Sequence, residues 1–333
     1  MPLPRIAIAT GDPAGIGPEI ALKAALDDRV KAQCRPLLVG DPAVVEMHAR
    51  AAGLLPRFHV VDEPGQADWT DSAVNLLDAS EGSNAPVSFG KVDPAYGRAS
   101  LASARRAIHA ALAGAVDAVV AAPQTERSIH AAGIAFDGYP SFVARETGTP
   151  VNDVYLMICF DDKRIAHATL HVSVREAIEL ITPERVDRVI RVVDTALKRL
   201  GIAKPKIFVG GLNPHAGEDG LFGREDLDII APAIARMAES GIAASGPFGV
   251  DTMFRKSGCD AYIVMLHDQG HIAAKLLAFN RTAGLSIGSP ILFSSVAHGS
   301  AHDIAGKGIA DPGAVIEAVT RLARVNTQGR DRA

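Results

Sequence analysis

The chain has 333 residues, room for about two domains of roughly 150 residues each. With 48% hydrophobic and 22% charged residues it can bury a large core, which excludes a disordered chain. A net charge of −4 leaves no basic footprint for nucleic acid, so none is expected as a partner.

The opening "MPLPRIAIATGDPAG" lacks a basic region followed by a long apolar one, so no secretory leader is expected. No uncharged apolar run reaches the roughly 18 residues of a membrane span. Cys34, Cys159 and Cys259 stand far apart and match no C-x-x-C pattern, which suits a reducing compartment and packing roles. The expectation is a cytoplasmic protein with no membrane partner.

In chain order, "RIAIAT" (5–10) and "RPLLVG" (35–40) are continuous apolar runs that stop at polar residues or Gly, the pattern of strands covered on both faces. "DASEGSNAPVSFGKVDPAYGRAS" (78–100), rich in Gly, Ser and Pro, is expected to be a loop. "SLASARRAIHAALAGAV" (100–116) predicts a helix and "DAVVAA" (117–122) a strand. "VYLMICFDDKRIAHATLHVSV" (154–174) predicts two strands joined at Asp161-Asp162-Lys163, a hairpin that signals a second domain. "TPERVDRVIRVVDTALKRLG" (182–201) predicts a helix capped by Thr182, with Pro183 at its first position and Gly201 as its stop. Val186, Val189, Ile190, Val193 and Leu197 form its apolar stripe. "KIFVGG" (206–211) and "AYIVML" (261–266) are further buried strands. Alternating strands and helices make this an α/β protein.

Three histidines share one context. His171, His215 and His267 each lie at or just past the end of a predicted strand, where open α/β sheets bind ligands. Imidazole suits a borderline divalent metal such as Zn, Ni, Co or Fe. Their spacing carries no metal signature, so separate hydrogen-bonded histidines and one shared site both remain open. The turn "ATGDPAGIGPEI" (9–20) is neither a P-loop nor G-x-G-x-x-G, yet a free backbone before a helix can seat an anionic group. "SSVAHGSAHDIAGKGIADP" (294–312) crowds small residues around His298, Asp303 and Lys307, so a flat ligand could approach the backbone, with Asp303 on a ribose hydroxyl. Lys275 is a candidate anion holder or proton donor, and Asp251 a candidate base or a helix cap.

"GDPAGIGPE", "GLNPHAGE", "HDQG" and "HGSAHDIAGKG", in this order, closely resemble the 4-hydroxythreonine-4-phosphate dehydrogenase family over residues 5 to about 320. The first and last motifs are also similar to those of isopropylmalate and isocitrate dehydrogenases. The resemblance implies their two-domain α/β fold, divided here as 1–138 plus 285–333, with the cofactor site, and 139–284, with the metal, substrate and dimer contacts. It implies NAD, a divalent metal (Zn, Co, Ni, Mg or Mn), and a homodimer that shares its active site. His171, His215 and His267 become the metal ligands, one of them donated by the partner subunit. Lys275 and Asp251 become the catalytic pair; Tyr139, Ser141, Asn213 and Lys275 contact substrate. His298, Gly299, Ser300, Ala301 and Asp303 contact the cofactor.

Departures from the family pattern concern the substrate. Gly138-Tyr139-Pro140-Ser141 stands where phosphate-substrate enzymes carry Gly-His-Thr-Glu, and Glu126 replaces a lysine. Gly284 and Phe293 align with a substrate-holding Asn and Arg, and Ala297 with an Asp. These residues look like the branch that oxidises terephthalate cis-dihydrodiol, 1,2-dihydroxy-3,5-cyclohexadiene-1,4-dicarboxylate, to protocatechuate with loss of CO2. The alternative is 4-phosphohydroxy-L-threonine oxidation in pyridoxal phosphate biosynthesis. A catalytically silent binder is disfavoured because the three histidines and Lys275 are all present.

Overall fold

The computed structural model describes residues 3–70, 73–80, 87–278 and 282–324. Its strands are β1 (Arg5–Ala9), β2 (Arg35–Gly40), β3 (Phe58–Val61), β4 (Val74–Asp78), β5 (Ala118–Ala121), β6 (Tyr155–Phe160), β7 (Lys163–His167), β8 (Lys206–Gly210), β9 (Ala243–Phe248), β10 (Ala261–Val264), β11 (Ala283–Ile287) and β12 (Phe293–Val296). The chain divides into two compact units, residues 1–148 with 290–333, and residues 149–289. Both boundaries lie later than the expected 138/139 and 284/285. The helix Tyr139–Thr147 packs Tyr139, Phe142 and Val143 into the core of the first unit. At the other end, β11 pairs along its length with β6, which keeps residues 285 to 289 in the second unit.

In the first unit the strands run parallel in the order β3-β4-β2-β1-β5-β12. Ile6, Ala7, Ile8 and Ala9 of β1 have no exposure, as a continuous apolar run covered on both faces requires. The chain leaves β1 toward β2 on one side and returns to β5 on the other, so the strand order reverses between β1 and β5. The helix expected from residue 100 begins earlier, at Pro94, because Asp93 accepts a hydrogen bond from the Ala95 amide at 2.7 Å and caps it. The loop predicted over 78–100 therefore ends at Asp93; residues 81–86 of it lie outside the described residues.

The second unit orders its strands β11-β6-β7-β10-β8-β9, with β11-β6 and β6-β7 antiparallel and the remaining pairs parallel. The hairpin turns at Asp161, with φ 45°. Its second strand stops at His167 rather than running on to 174, so His171 stands four residues past the strand in a bend. The helix Pro183–Arg199 matches its expected span; Thr182 Oγ1 accepts from the Arg185 amide at 3.3 Å, and all five stripe residues are fully buried. No described helix is long and apolar enough to cross a membrane.

Two core histidines make acid stability a test of this packing. His48 is buried in the first unit with Nε2 donating to the Pro13 carbonyl at 2.9 Å, and His167 closes β7 in the second. Burial lowers the pKa of both, that of His167 to about 3. An unfolded histidine titrates near 6.5 and therefore takes its proton first as pH falls. Their contribution is present above pH 6.5 and is lost as pH drops toward 3. The melting temperature should fall steadily from pH 6.5 to 4.5, and His48→Gln should flatten part of that slope. A melting temperature constant over this range would contradict the assignment.

Candidate active site

Past β8, the chain from Gly211 onward folds around one carboxylate. Asp226 has no exposure and accepts from the Leu212 amide at 2.8 Å, the Asn213 amide at 3.0 Å and Asn213 Nδ2 at 3.0 Å. Asn213 Nδ2 also donates to Glu225 at 2.8 Å. Between these anchors His215, Ala216, Gly217, Glu218 and Asp219 all adopt left-handed backbone, with φ of 54°, 55°, 83°, 43° and 53°. Each L-residue there costs roughly 1–2 kcal/mol, so the run persists only because it is pinned beyond its ends. Asp226→Ala would strip the acceptor from three donors. It should cost about 3 kcal/mol or more by chemical denaturation; a loss below about 1 kcal/mol would show that the run holds itself.

His215, at the start of this run, is exposed, and its Nδ1 lies 3.2 Å from Glu218 Oε2, which leaves Nε2 outside that contact. Asp251 neighbours it. A Cβ placed on Gly249 would sit 2.8 Å from Asp251 Oδ1 and 3.5 Å from His215 Cα.

The HDQG segment is the second half of the site. His267 lies just past the strand β10, as expected. It opens the helix His267–Ala278, two residues after the chain has left β10. Gln269 causes the change of direction: its Oε1 accepts from the Met265 and Leu266 amides at 2.9 and 3.0 Å. Its Nε2 donates to the Gly211 carbonyl at 3.1 Å, tying this helix start to the His215 segment. Asp268 Oδ1 lies 2.7 Å from His267 Nδ1.

Around His267 lie three more imidazoles. The His171 ring centroid is 5.8 Å away, and the His271 ring stacks on His267 at 3.8 Å and 9°. His271 Nδ1 donates to the His267 carbonyl at 3.2 Å. His167 lies 4.7 Å from His271, with its Nε2 buried and unpartnered against Gly270, where a Cβ would come within 2.3 Å of it. Burial, reinforced by the neighbouring rings, lowers the pKa of His167 to about 3 and that of His271 to about 4, so both are neutral at ordinary pH. Sequence reasoning passed over both; His271 could have been found as the i+4 neighbour of His267 on one helix face. Lys275 lies two turns along the same helix, and its charge reaches His271.

The second unit thus brings His171, His267 and Lys275 together, and sets His215, Asn213 and Asp251 around the neighbouring segment. Among the described residues of the single chain, no three His, Cys, Asp or Glu side chains converge to hold one metal ion. The donor chemistry nevertheless fits a metal. Both His215 and His267 have Nδ1 oriented by a carboxylate, the arrangement that fixes the tautomer of metal-binding histidines.

In the first unit, the expected aromatic contacts need correction. Tyr139 and Phe293 pack on each other, centroids 5.0 Å apart, inside the hydrophobic core; Phe293 is only 1% exposed. Both are core residues in this chain, because the helix from Tyr139 turns its first residues inward. Ser141 is buried too, its hydroxyl donating to Asp137. Glu126 is exposed and Gly284 buried in β11.

The segment His298 to Asp303 lies past β12. His298 Nδ1 donates to the Gly299 carbonyl at 3.1 Å, Ala301 is left-handed with φ 41°, and Asp303 is exposed. Ser300 is buried against the first glycine turn: its carbonyl accepts from the Ile16 amide at 2.9 Å, and Gly15 approaches so closely that a Cβ would lie 2.6 Å from Ser300 Cβ. Here stands a cluster that sequence reasoning missed. Asp12, 1% exposed, accepts from the Ala14 amide at 2.9 Å and meets both the Thr125 hydroxyl and His302 Nε2, the latter at 2.9 Å. Asp12 follows β1 and Thr125 follows β5, so the cluster sits where the strand order reverses, the usual ligand crevice of such sheets. A cavity of about 150 Å³ opens nearby, lined by Thr10, Gly11, Pro13, Ser80, Tyr96 and Arg98. Another of about 170 Å³, by Arg35, Arg57 and Trp69, lies at the amino ends of the strands, away from all of these groups.

Comparison with known proteins fits this geometry into a family. The profile described as pyridoxal phosphate biosynthetic protein PdxA matches residues 32–322. A 1,2-dihydroxy-3,5-cyclohexadiene-1,4-dicarboxylate dehydrogenase of Comamonas is 41% identical over 320 residues, covering 96% of each chain. A D-threonate 4-phosphate dehydrogenase of Cupriavidus necator is 37% identical, covering 98% of each. Among solved structures, a terephthalate 1,2-cis-dihydrodiol dehydrogenase from Burkholderia xenovorans is similar with TM-score 0.70 and 41% identity, over 96% of this chain and 98% of that one. With profile, sequence and fold in agreement along nearly the whole length, the chain belongs to the PdxA family.

Proposed function

We propose that this protein is a homodimeric, NAD- and divalent-metal-dependent dehydrogenase that oxidises and decarboxylates a cyclic dicarboxylate cis-diol. The substrate of best fit is 1,2-dihydroxy-3,5-cyclohexadiene-1,4-dicarboxylate, and the product protocatechuate. The observation that carries this reading is the 41% identity, along 96% of both chains, to a dehydrogenase named for that diol. It is supported by Tyr139, Phe293 and Glu126, which stand where the phosphate-substrate pattern has His, Arg and Lys.

His171, His215 and His267 are the residues proposed to hold the metal. A divalent ion there supplies Lewis acidity to the diol oxygens and eases loss of the alcohol proton. Asp251, beside His215, is placed to accept that proton. Lys275 holds a substrate carboxylate or returns a proton after CO2 departs, and Asn213 orients a substrate oxygen. His298 to Asp303 form the nucleotide segment, with Asp303 free to reach a ribose hydroxyl. NAD held there would supply the hydride acceptor, and a ketone left β to a carboxylate would favour decarboxylation and rearomatisation.

A second subunit supports completion of the metal set. Ile272, Leu276 and Leu277 are exposed on the helix that carries His267, Leu276 at 82%, and Leu221 is 73% exposed six residues past His215. Apolar surface on both histidine-bearing segments suits burial against a second copy. The buried thiols of Cys34 and Cys159 suit the cytoplasm as compartment. The direct test follows NADH absorbance with the cyclic diol and a phosphorylated hydroxy acid side by side, with and without added metal. Faster reduction of NAD by the phosphorylated acid would overturn the proposal.

A further inference from the structure

We infer that His302 is a positioning residue that locks the segment 298–303 onto the first glycine turn, and that dinucleotide affinity depends on this lock. The inference rests on the reading of that segment as the nucleotide site. Residue 302 lies inside the HGSAHDIAGKG motif, between Ala301 and Asp303.

Four separated pieces of chain meet at His302. Its Nε2 donates to Asp12 Oδ2 at 2.9 Å and lies 3.1 Å from Thr125 Oγ1. The Thr125 hydroxyl donates to the same carboxylate, and Ser300 Oγ, 2.9 Å from Thr125 Oγ1, completes the set. On the other side, the His302 carbonyl lies where a Cβ on Gly90 would come within 2.9 Å, while the Gly90 amide donates to the Ala14 carbonyl at 2.8 Å. The lock therefore closes on both the side chain and the backbone of residue 302.

A Thr-His-Asp grouping invites comparison with a nucleophilic triad, but the geometry excludes that role. Relay through an imidazole needs one ring nitrogen on the hydroxyl and the other on the carboxylate. Here Nε2 makes both contacts. The cluster holds position; it does not pass a proton through the ring. What it holds is the left-handed Ala301, with φ 41°, and thus the direction in which the Gly299, Ser300 and Ala301 amides point. An L-residue leaves that conformation readily once its anchor is gone. Backbone donors aimed at an anionic ligand lose affinity when they are no longer preorganised.

The experiment measures NAD binding by calorimetry, and steady-state kinetics with the diol, for wild type, His302→Leu, His302→Asn and Thr125→Val. The leucine variant should bind NAD about tenfold more weakly, the scale of one hydrogen bond to a charged group. KM for NAD should rise in parallel, while kcat and KM for the diol stay within about twofold. The asparagine variant, which retains a donor for Asp12, should recover most of the affinity, and Thr125→Val should show a smaller shift in the same direction. Wild-type NAD affinity in His302→Leu would overturn the inference, as would a loss confined to kcat or the diol. Should the leucine variant fail to fold, unchanged NAD affinity in Thr125→Val overturns it instead. A wild type that binds no dinucleotide would defeat the functional reading and this inference together.

Discussion

His215→Ala is expected to lower turnover by at least about a thousandfold while leaving the fold nearly intact, because the Lewis-acid stabilisation of several kcal/mol proposed for this site would go with the imidazole. The side chain is 61% exposed and its partner is an exposed glutamate, so little core packing goes with it. Alanine is also tolerated in this backbone: the next residue, Ala216, already holds φ 55°. Metal bound per chain, measured by elemental analysis after dialysis against a weak chelator, should fall in step with activity. His267→Ala should behave alike, with some added loss of stability from the stacked His271 ring. A metal-stripped His215→Ala sample with full activity would refute metal-dependent catalysis by this protein.

The second large effect concerns substrate choice. A phosphate dianion is held by charge-assisted hydrogen bonds, each contributing roughly 1.5–3 kcal/mol. Tyr139 and Phe293 offer no cation where the phosphate-substrate pattern has His and Arg. Two such losses weaken phosphate binding by about a hundredfold or more. kcat/KM for the cyclic diol should therefore exceed that for 4-phosphohydroxythreonine or D-threonate 4-phosphate by at least this factor. The reverse order would mean that the readings of residues 126, 139 and 293 are wrong. Phe293→Arg should not restore phosphate use, since a guanidinium at a position 1% exposed would be buried without a partner. Its expected outcome is an unstable protein.

Much of the scaffold was legible because its signals are local. Buried runs such as 5–10 and 261–266 declare strands by composition, and Thr182-Pro183 declares a helix start by capping chemistry. Two classes of feature escaped. The left-handed run at 215–219 contains four residues other than glycine, and its conformation is imposed by Asp226 from outside. No propensity at 215 records that. The lock at His302 joins positions 290 residues apart, and its threonine lies 113 residues from Asp12, so only the completed sheet brings them together. The site was legible as residue types and much less as geometry. His267 illustrates the difference: the apolar run before it placed it just past a strand, but nothing in that run told that Gln269 caps the turn and makes it the first residue of a helix.

Gly270 limits which sequences can occupy this stretch at all. The glycine hydrogen facing His167 fills the gap between the end of β7 and the helix that bears His267; even a methyl group would come within 2.3 Å of the imidazole nitrogen. Relief would come only from a smaller residue at 167 or from the helix backing away, and the second would carry His267, His271 and Lys275 with it. Positions 167 and 270 should thus vary as a pair or not at all. Enlarging the glycine alone would register first as a displaced His267 imidazole, well before it registered as unfolding.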